Sequence, residues 1–168
     1  MKSIGFYLLC TVSTYGVFCG DVTKLSAEDH GALGNALRFH EVHSTSDLPP
    51  TVVALCTNGV GKLAEPGEKW NATDAITDPT LPAKRLIWAA VGGKRYVVHF
   101  ERGGIAHSYH ILIVSLTNGD SQPNVVWRAV GGPFKDYAAF IDALRAGKLN
   151  DRLGNSRFGR RSARNIES

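Results

Sequence analysis

The apolar positions are concentrated in the second half of the chain, where their pattern predicts an antiparallel sheet. Four runs rich in valine, isoleucine and aromatic residues cover residues 85–91, 94–101, 107–116 and 124–130. Each run is bounded by glycine, asparagine or proline, which is typical of strands joined by turns. Gly92 and Gly93 separate the first two runs and supply the positive φ angles that a tight hairpin needs. We therefore expect a four-stranded meander over about residues 85–130.

The spacing of apolar residues changes to a helical period after this sheet. Tyr137, Phe140, Ile141 and Leu144 form one stripe within a helix predicted over about residues 134–146. Two shorter helices are predicted before the sheet, one starting near Ser26 and one near Pro50, because these residue types favour helix starts. The fold class is therefore α+β, with the C-terminal helix packed on one face of the meander.

The first residues have the pattern of a secretory signal peptide. Lys2 supplies a positive charge, an apolar centre follows, and small residues lead to an exit near Cys19 or Gly20. The apolar part is shorter than the 20 or so residues that a spanning helix needs. We therefore expect a signal peptide over residues 1–20, a single domain over 21–149 and a secreted or periplasmic protein. An uncleaved membrane anchor is the alternative.

The charge is distributed unevenly along the chain. Residues 1–151 contain equal numbers of acidic and basic side chains, whereas residues 152–168 contain five arginines and one glutamate. This argues against specific nucleic-acid binding by the body of the protein. Residues 150–168 are predicted to form a flexible basic tail, which either keeps the protein soluble or makes weak electrostatic contact with acidic lipid, polysaccharide or nucleic acid.

The cysteines argue against a disulfide framework. Cleavage of the signal peptide removes Cys10 and Cys19 and leaves Cys56 alone at the end of an apolar run. A single thiol in such a run is typical of a buried small hydrophobic residue. We expect no disulfide-linked partner.

A polar patch interrupts the predicted sheet between residues 99 and 110. His99 and Glu101 point to the same face of their strand, because side chains alternate along a strand. Two registers of the next strand are open, since a slip of one residue reverses every side chain. One register adds His107 and Tyr109 to the face of His99 and Glu101. The other register adds Ser108 and His110 to that face.

Either register brings histidines beside a carboxylate, which is an arrangement suited to acid–base catalysis. The candidate catalytic residues are therefore His99, Glu101, His107 and His110. Two histidines and a carboxylate are also a possible zinc site. His107 and His110 are three residues apart and point to opposite faces of a strand, and the chain has no zinc-binding, nucleotide-binding or serine-hydrolase motif. No metal or other cofactor is predicted.

The breaker-rich segment 59–84 is the second candidate surface. It has little periodicity, although a short strand is predicted near residues 70–76, and a long irregular connection is often functional. Trp70 lies in this segment and is the best candidate for an exposed contact, whereas Trp88 and Trp127 lie in predicted strands and are expected in the core. The candidate binding residues are Trp70, Tyr109 and Arg102.

These features favour a small exported binding module. Its ligand is expected to be a protein partner, as for an inhibitor or immunity protein, or an envelope component. Two other classes remain open: a small cofactor-free or metal-assisted hydrolase that uses the histidine and glutamate cluster, and a structural envelope protein without a site.

Overall fold

A computed structural model describes residues 25–35, 38–76, 78–117 and 122–149. The predicted signal peptide over residues 1–20 and the predicted basic tail over 150–168 lie outside these ranges. Across the ranges described, none of the helices combines the length and the apolar character needed to cross a membrane.

A six-stranded sheet forms the centre of the fold. Its strands are β1 His40–Val42, β2 Leu63–Ala64, β3 Lys84–Gly92, β4 Arg95–Arg102, β5 Ser108–Thr117 and β6 Gln122–Gly131. The order across the sheet is β1-β3-β4-β5-β6 with antiparallel neighbours, and β2 pairs in parallel with the start of β3. The predicted α+β class and antiparallel meander are confirmed. The sequence pattern does not predict β1 and β2, which are too short to show a period.

Among the described residues, three short α-helices pack around the sheet: α1 Ala27–Gly34, α2 Pro50–Thr57 and α3 Tyr137–Arg145. The hydroxyl of Ser26 accepts a hydrogen bond from an amide in the first turn of α1, and Asp136 does the same for α3. These side chains satisfy backbone donors that have no partner inside a helix. α2 ends at Asn58 in the left-handed conformation.

The two faces of the sheet have separate apolar cores. On the first face, Trp88, Val97 and Ile113 belong to the core that includes side chains of α1 and α3. On the second face, Leu86, Val98 and Leu112 belong to the core that includes side chains of α2. The C-terminal helix thus covers one face, as the sequence predicts. Trp88 and Trp127 are both buried in the first core, as expected.

Bulges in β3 and β6 adjust the register of the sheet. The first, between Leu86 and Trp88, shifts the pairing with β4 by one residue, so that Arg85 lies opposite Glu101. The second interrupts the pairing of β5 with β6 beside Ile113, close to Pro123 near the start of β6. A bulge bends and twists a strand, and proline removes a backbone donor. Within the described ranges, β6 has a strand neighbour on one side only.

The segment between β2 and β3 is an irregular loop, so the strand predicted near residues 70–76 is wrong. Of the residues described in this loop, Thr73 alone makes a bridge, in parallel with Gly104. The buried side-chain amide of Asn71 donates to the carbonyl oxygens of Asp78 and Leu81, at 2.8 and 3.0 Å. These hydrogen bonds give two backbone carbonyls of the loop a partner within the loop, and they favour a compact turn over an extended strand.

Candidate functional site

The pairing of β4 with β5 selects between the two predicted registers. Glu101 lies opposite Tyr109, and His99 lies opposite Ile111. His107, in the turn just before β5, reaches the same face through its contact with Glu101. The first face therefore gathers His99, Glu101, His107 and Tyr109, which is the first of the two sets. His110 is on the second face.

Glu101 joins a cation and an imidazole at the end of the first face. Its side chain is 7% exposed, and its Oε1 accepts a hydrogen bond from Arg85 Nε at 2.6 Å. Its Oε2 accepts from His107 Nε2 at 2.8 Å. A buried carboxylate is stable only with such partners, because its charge has lost most of its hydration. Glu101 therefore fixes both Arg85 and His107.

An aromatic row lies over this ion pair. The ring centroids of Trp70 and His107 are 5.5 Å apart, and those of His107 and Tyr109 are 4.9 Å apart. The guanidinium carbon of Arg85 is 5.1 Å from the Trp70 ring, which is a cation–π distance. Trp70 and Tyr109 are half-buried, so each leaves part of its ring open to solvent. We call Trp70, Arg85, Glu101, His107 and Tyr109 the aromatic site.

His99 lies beneath this site and is fully buried. Its Nε2 accepts a hydrogen bond from the Phe134 amide at 3.2 Å, so its Nδ1 carries the proton and donates to the His110 carbonyl at 2.9 Å. Burial lowers the pKa of His99, which favours this neutral form. Both ring nitrogens have backbone partners, so His99 holds the β6–α3 connection against the sheet and has no nitrogen free for a ligand.

His110 has a separate environment on the second face. Its ring stacks on Phe100 with 5.1 Å between centroids, and its Nε2 is 2.9 Å from the Ser108 hydroxyl. Burial, then Lys84 and the other neighbouring cations, lower the pKa of His110 to about 4. The structure thus brings His107 and Glu101 together and places His110 elsewhere.

The described residues include no group of three histidine, cysteine, aspartate or glutamate side chains placed to hold a metal ion. Glu101 is already shared by Arg85 and His107, and His99 has no free nitrogen. The chemistry that the aromatic site offers is therefore that of a carboxylate–imidazole pair with aromatic walls.

Two apolar side chains are exposed in the two segments that lead to the aromatic site, the β4–β5 turn and the β2–β3 loop. Ile105 is 94% exposed at this turn, and Ile76 is 66% exposed in the loop that the Thr73–Gly104 bridge joins to it. The sequence interpretation missed both residues, and also Arg85. Arg85 was not predictable from the hairpin alone, because the regular register counted from Gly92 and Gly93 places Arg85 opposite Arg102. The bulge between Leu86 and Trp88 shifts the pairing by one residue and puts Arg85 opposite Glu101.

Comparison with protein-family models, with curated proteins and with solved structures finds no match for this chain.

Proposed function

We propose that this chain is an exported binding module and that the aromatic site is its contact surface for a protein partner. The single observation that carries the proposal is the row of Trp70, His107 and Tyr109 rings, of which Trp70 and Tyr109 are half-buried and His107 is held by the buried Glu101. Tryptophan, tyrosine and arginine are the residues that most often dominate the energy of protein interfaces. All three types meet in this site.

The surroundings of the site support a protein as the ligand. Ile76 and Ile105 extend the aromatic surface with exposed apolar area, and such area beside aromatic side chains is common where proteins associate. The ion pair of Arg85 with Glu101 and the cation–π contact with Trp70 hold the surface in one conformation before binding. A preformed surface loses less entropy on association than a mobile one.

Export is supported by the sequence pattern of residues 1–20. Its test is the mass of the mature chain recovered from the producing cell's envelope or medium. A mass that corresponds to cleavage after Cys19 or Gly20 agrees with the proposal, and an intact chain retained in the cytoplasm contradicts it.

The binding proposal is tested with two matched surface variants. Ile105→Ser removes an exposed apolar side chain beside the aromatic site, and Val60→Ser removes one that is 80% exposed in the α2–β2 connection. A partner captured from envelope and medium fractions is then titrated against both variants and against Trp70→Ala. Binding is expected to weaken by at least about tenfold in Trp70→Ala and measurably in Ile105→Ser. Val60→Ser is expected to bind like the wild type.

Equal affinity of all three variants for every captured protein contradicts this proposal. So does the absence of any protein retained by the wild type and lost by Trp70→Ala. Because Ile105 is almost fully exposed, its replacement leaves the core intact and separates loss of contact from loss of folding.

A second candidate function is hydrolysis by the Glu101–His107 pair. When the His107 ring is neutral and its Nε2 donates to Glu101, Nδ1 carries a lone pair, and Nδ1 has no hydrogen-bond partner within the described ranges. Such an imidazole can activate water. Hydrolysis of an activated aryl ester that is lost in His107→Gln and retained in His30→Gln would support this function. Equal rates in both variants would exclude it for that substrate class.

A further inference from the structure

Two arginines flank His110 on the second face of the sheet, opposite the aromatic site. Arg102 in β4 and Arg128 in β6 are each the diagonal neighbour of His110 across the strand pairing. Diagonal neighbours on one face are roughly 7–8 Å apart, within reach of long side chains. Both arginines are exposed, whereas His110 is half-buried between them.

A third cation, Lys84, lies beside Arg102. Lys84 in β3 is directly opposite Arg102, and Arg102 is directly opposite Ser108. Like charges placed directly opposite each other destabilise a strand pair. The Lys84 ammonium donates to the Cys56 carbonyl at the end of α2, at 2.5 Å, which directs part of its charge to a helix C-terminus. No comparable partner accounts for Arg102 or Arg128 within the described ranges.

The electrostatic effect of these cations is visible on their neighbours. Burial first, and then Lys84, Arg102 and Arg128, lower the pKa of His110 to about 4. Burial first, and then Arg102, also lower the pKa of Lys84. Among the described residues, none of these three cations forms an ion pair with a carboxylate. Arg85, on the opposite face, is neutralised by Glu101. The second face therefore has a local excess of positive charge.

We infer that Lys84, Arg102, Ser108, His110 and Arg128, the cationic cluster, bind a phosphate dianion, either free or as the terminal group of a small molecule. A planar guanidinium group, as in Arg102 and Arg128, can donate two parallel hydrogen bonds to two oxygens of one phosphate, which is a bidentate contact. The Ser108 hydroxyl and the neutral His110 ring add uncharged hydrogen-bonding groups. A bound dianion offsets the repulsion between Lys84 and Arg102.

The surroundings leave room for a larger molecule that carries the phosphate. Arg128 borders a groove of about 380 Å³ between α2 and the start of β6, together with Thr51, Asn58 and Pro123. Ala54, Leu55 and Pro123 give this lining its apolar part. A small organic group attached to the phosphate can lie in this groove while the phosphate contacts the cationic cluster.

The test is a phosphate titration of the full chain at constant ionic strength, followed through the NMR signals of the His110 ring. Inorganic phosphate is expected to give a saturable shift that an equal ionic strength of chloride does not give. Arg102→Gln and Arg128→Gln are each expected to weaken binding at least about tenfold, the usual effect of losing a charge-assisted hydrogen bond. The control is Lys94→Gln, which removes one charge from the exposed β3–β4 turn and is expected to bind like the wild type.

Glycerol phosphate distinguishes the two sources of the dianion. If glycerol phosphate binds more tightly than inorganic phosphate, the site is assigned to a small phosphorylated molecule. If glycerol phosphate binds more weakly, the site is assigned to free phosphate. Equal responses to phosphate and chloride overturn the inference, as do unchanged affinities in both arginine variants. Ile105→Ser is expected to retain phosphate binding, so failure of the aromatic site and failure of the cationic cluster are separable.

Discussion

Gly103 and Asn71 approach so closely that a Cβ atom on Gly103 would lie 1.9 Å from the backbone carbonyl oxygen of Asn71. Both residues also donate a backbone hydrogen bond to the segment just before β3, Asn71 to the Pro82 carbonyl and Gly103 to the Ala83 carbonyl. Trp70 immediately precedes Asn71, so this contact fixes the distance between the loop and the end of β4. The absence of a side chain at residue 103 is what lets Trp70 reach His107.

We expect Gly103→Ala to destabilise the protein by about 1–3 kcal/mol, because the added methyl group meets backbone atoms that cannot rotate away. Urea denaturation measures this loss. The control is Gly132→Ala, since a Cβ at Gly132 has open space around it. The binding surface should also change, so Trp70 fluorescence is expected to differ in Gly103→Ala under native conditions. Equal stability of the two variants would contradict the close contact.

Replacement of Glu101 tests the ion pair beneath the aromatic site. Glu101→Gln leaves Arg85 without its counter-charge and weakens the bond to His107. Loss of one partner of a fully buried pair costs about 3–5 kcal/mol. The side chains of Arg85 and His107 are 29% and 40% exposed, so water compensates part of this cost. We therefore expect a loss of about 1–3 kcal/mol in the free energy of unfolding.

The matched control for Glu101→Gln is Asp142→Asn. Asp142 is 79% exposed and lies 3.9 Å from Arg145, so its pair contributes less than about 1 kcal/mol. Similar chemical-denaturation midpoints for the two variants would mean that Glu101 does not hold the site together.

His110 makes the stability of the fold depend on pH. Burial and the nearby cations lower the pKa of His110 from 6.5 to about 4 in the folded state. Between these values the unfolded chain binds a proton that the folded chain does not, so stability rises with pH across this window. The contribution is complete above about pH 6.5 and is lost as the pH falls to about 4. Its size is on the order of 1–3 kcal/mol, since the ring is only half-buried.

We expect His110→Gln to reduce this slope. Urea denaturation of wild type and variant, at a series of pH values across the same window, measures the difference. His30→Gln changes an exposed histidine of α1 and serves as the control for removal of a histidine. A slope that is the same in wild type and His110→Gln would show that another group is responsible.

The thiol of Cys56 is expected to be unreactive in the folded protein. Cys56 is buried and free, and burial raises its pKa to about 12 although Lys84 acts in the opposite direction. Only the thiolate is nucleophilic, so alkylation at pH 8 should be much slower in the native state than in urea. Mass spectrometry of the peptide that contains Cys56 measures both rates. Comparable rates would contradict the burial of this side chain.

The sheet and α3 were predictable because their signals are local. Alternating apolar positions, the turn at Gly92 and Gly93, and the stripe that includes Phe140 and Ile141 each depend on residues close in sequence. The burial of Trp88 and Trp127 followed from their places in those strands. β1 and β2 were not predictable, because strands of two or three residues are too short to show a periodic pattern. Both strands depend on β3 for their hydrogen bonds.

The aromatic site was predictable only as a choice between two registers. The five-residue connection from Gly103 to His107 contains two glycines, and its length alone does not fix which face the next strand presents. The position of Trp70 depends on the hydrogen bonds of Asn71 to carbonyls seven and ten residues away. Such tertiary contacts leave no periodic trace in the sequence. The role of His99 depends in the same way on the distant amide of Phe134.

The bulge and the proline of β6 affect how this sheet meets other molecules. An outer strand with free backbone groups is a template for sheet extension and fibre formation. Pro123 cannot donate a hydrogen bond, the bulge interrupts the regular spacing of backbone groups, and Arg128 adds a charge. These features disfavour the docking of a further strand against β6. They allow a protein of this size to be concentrated without forming aggregates through that edge, so that association is directed to the side-chain surfaces of the sheet.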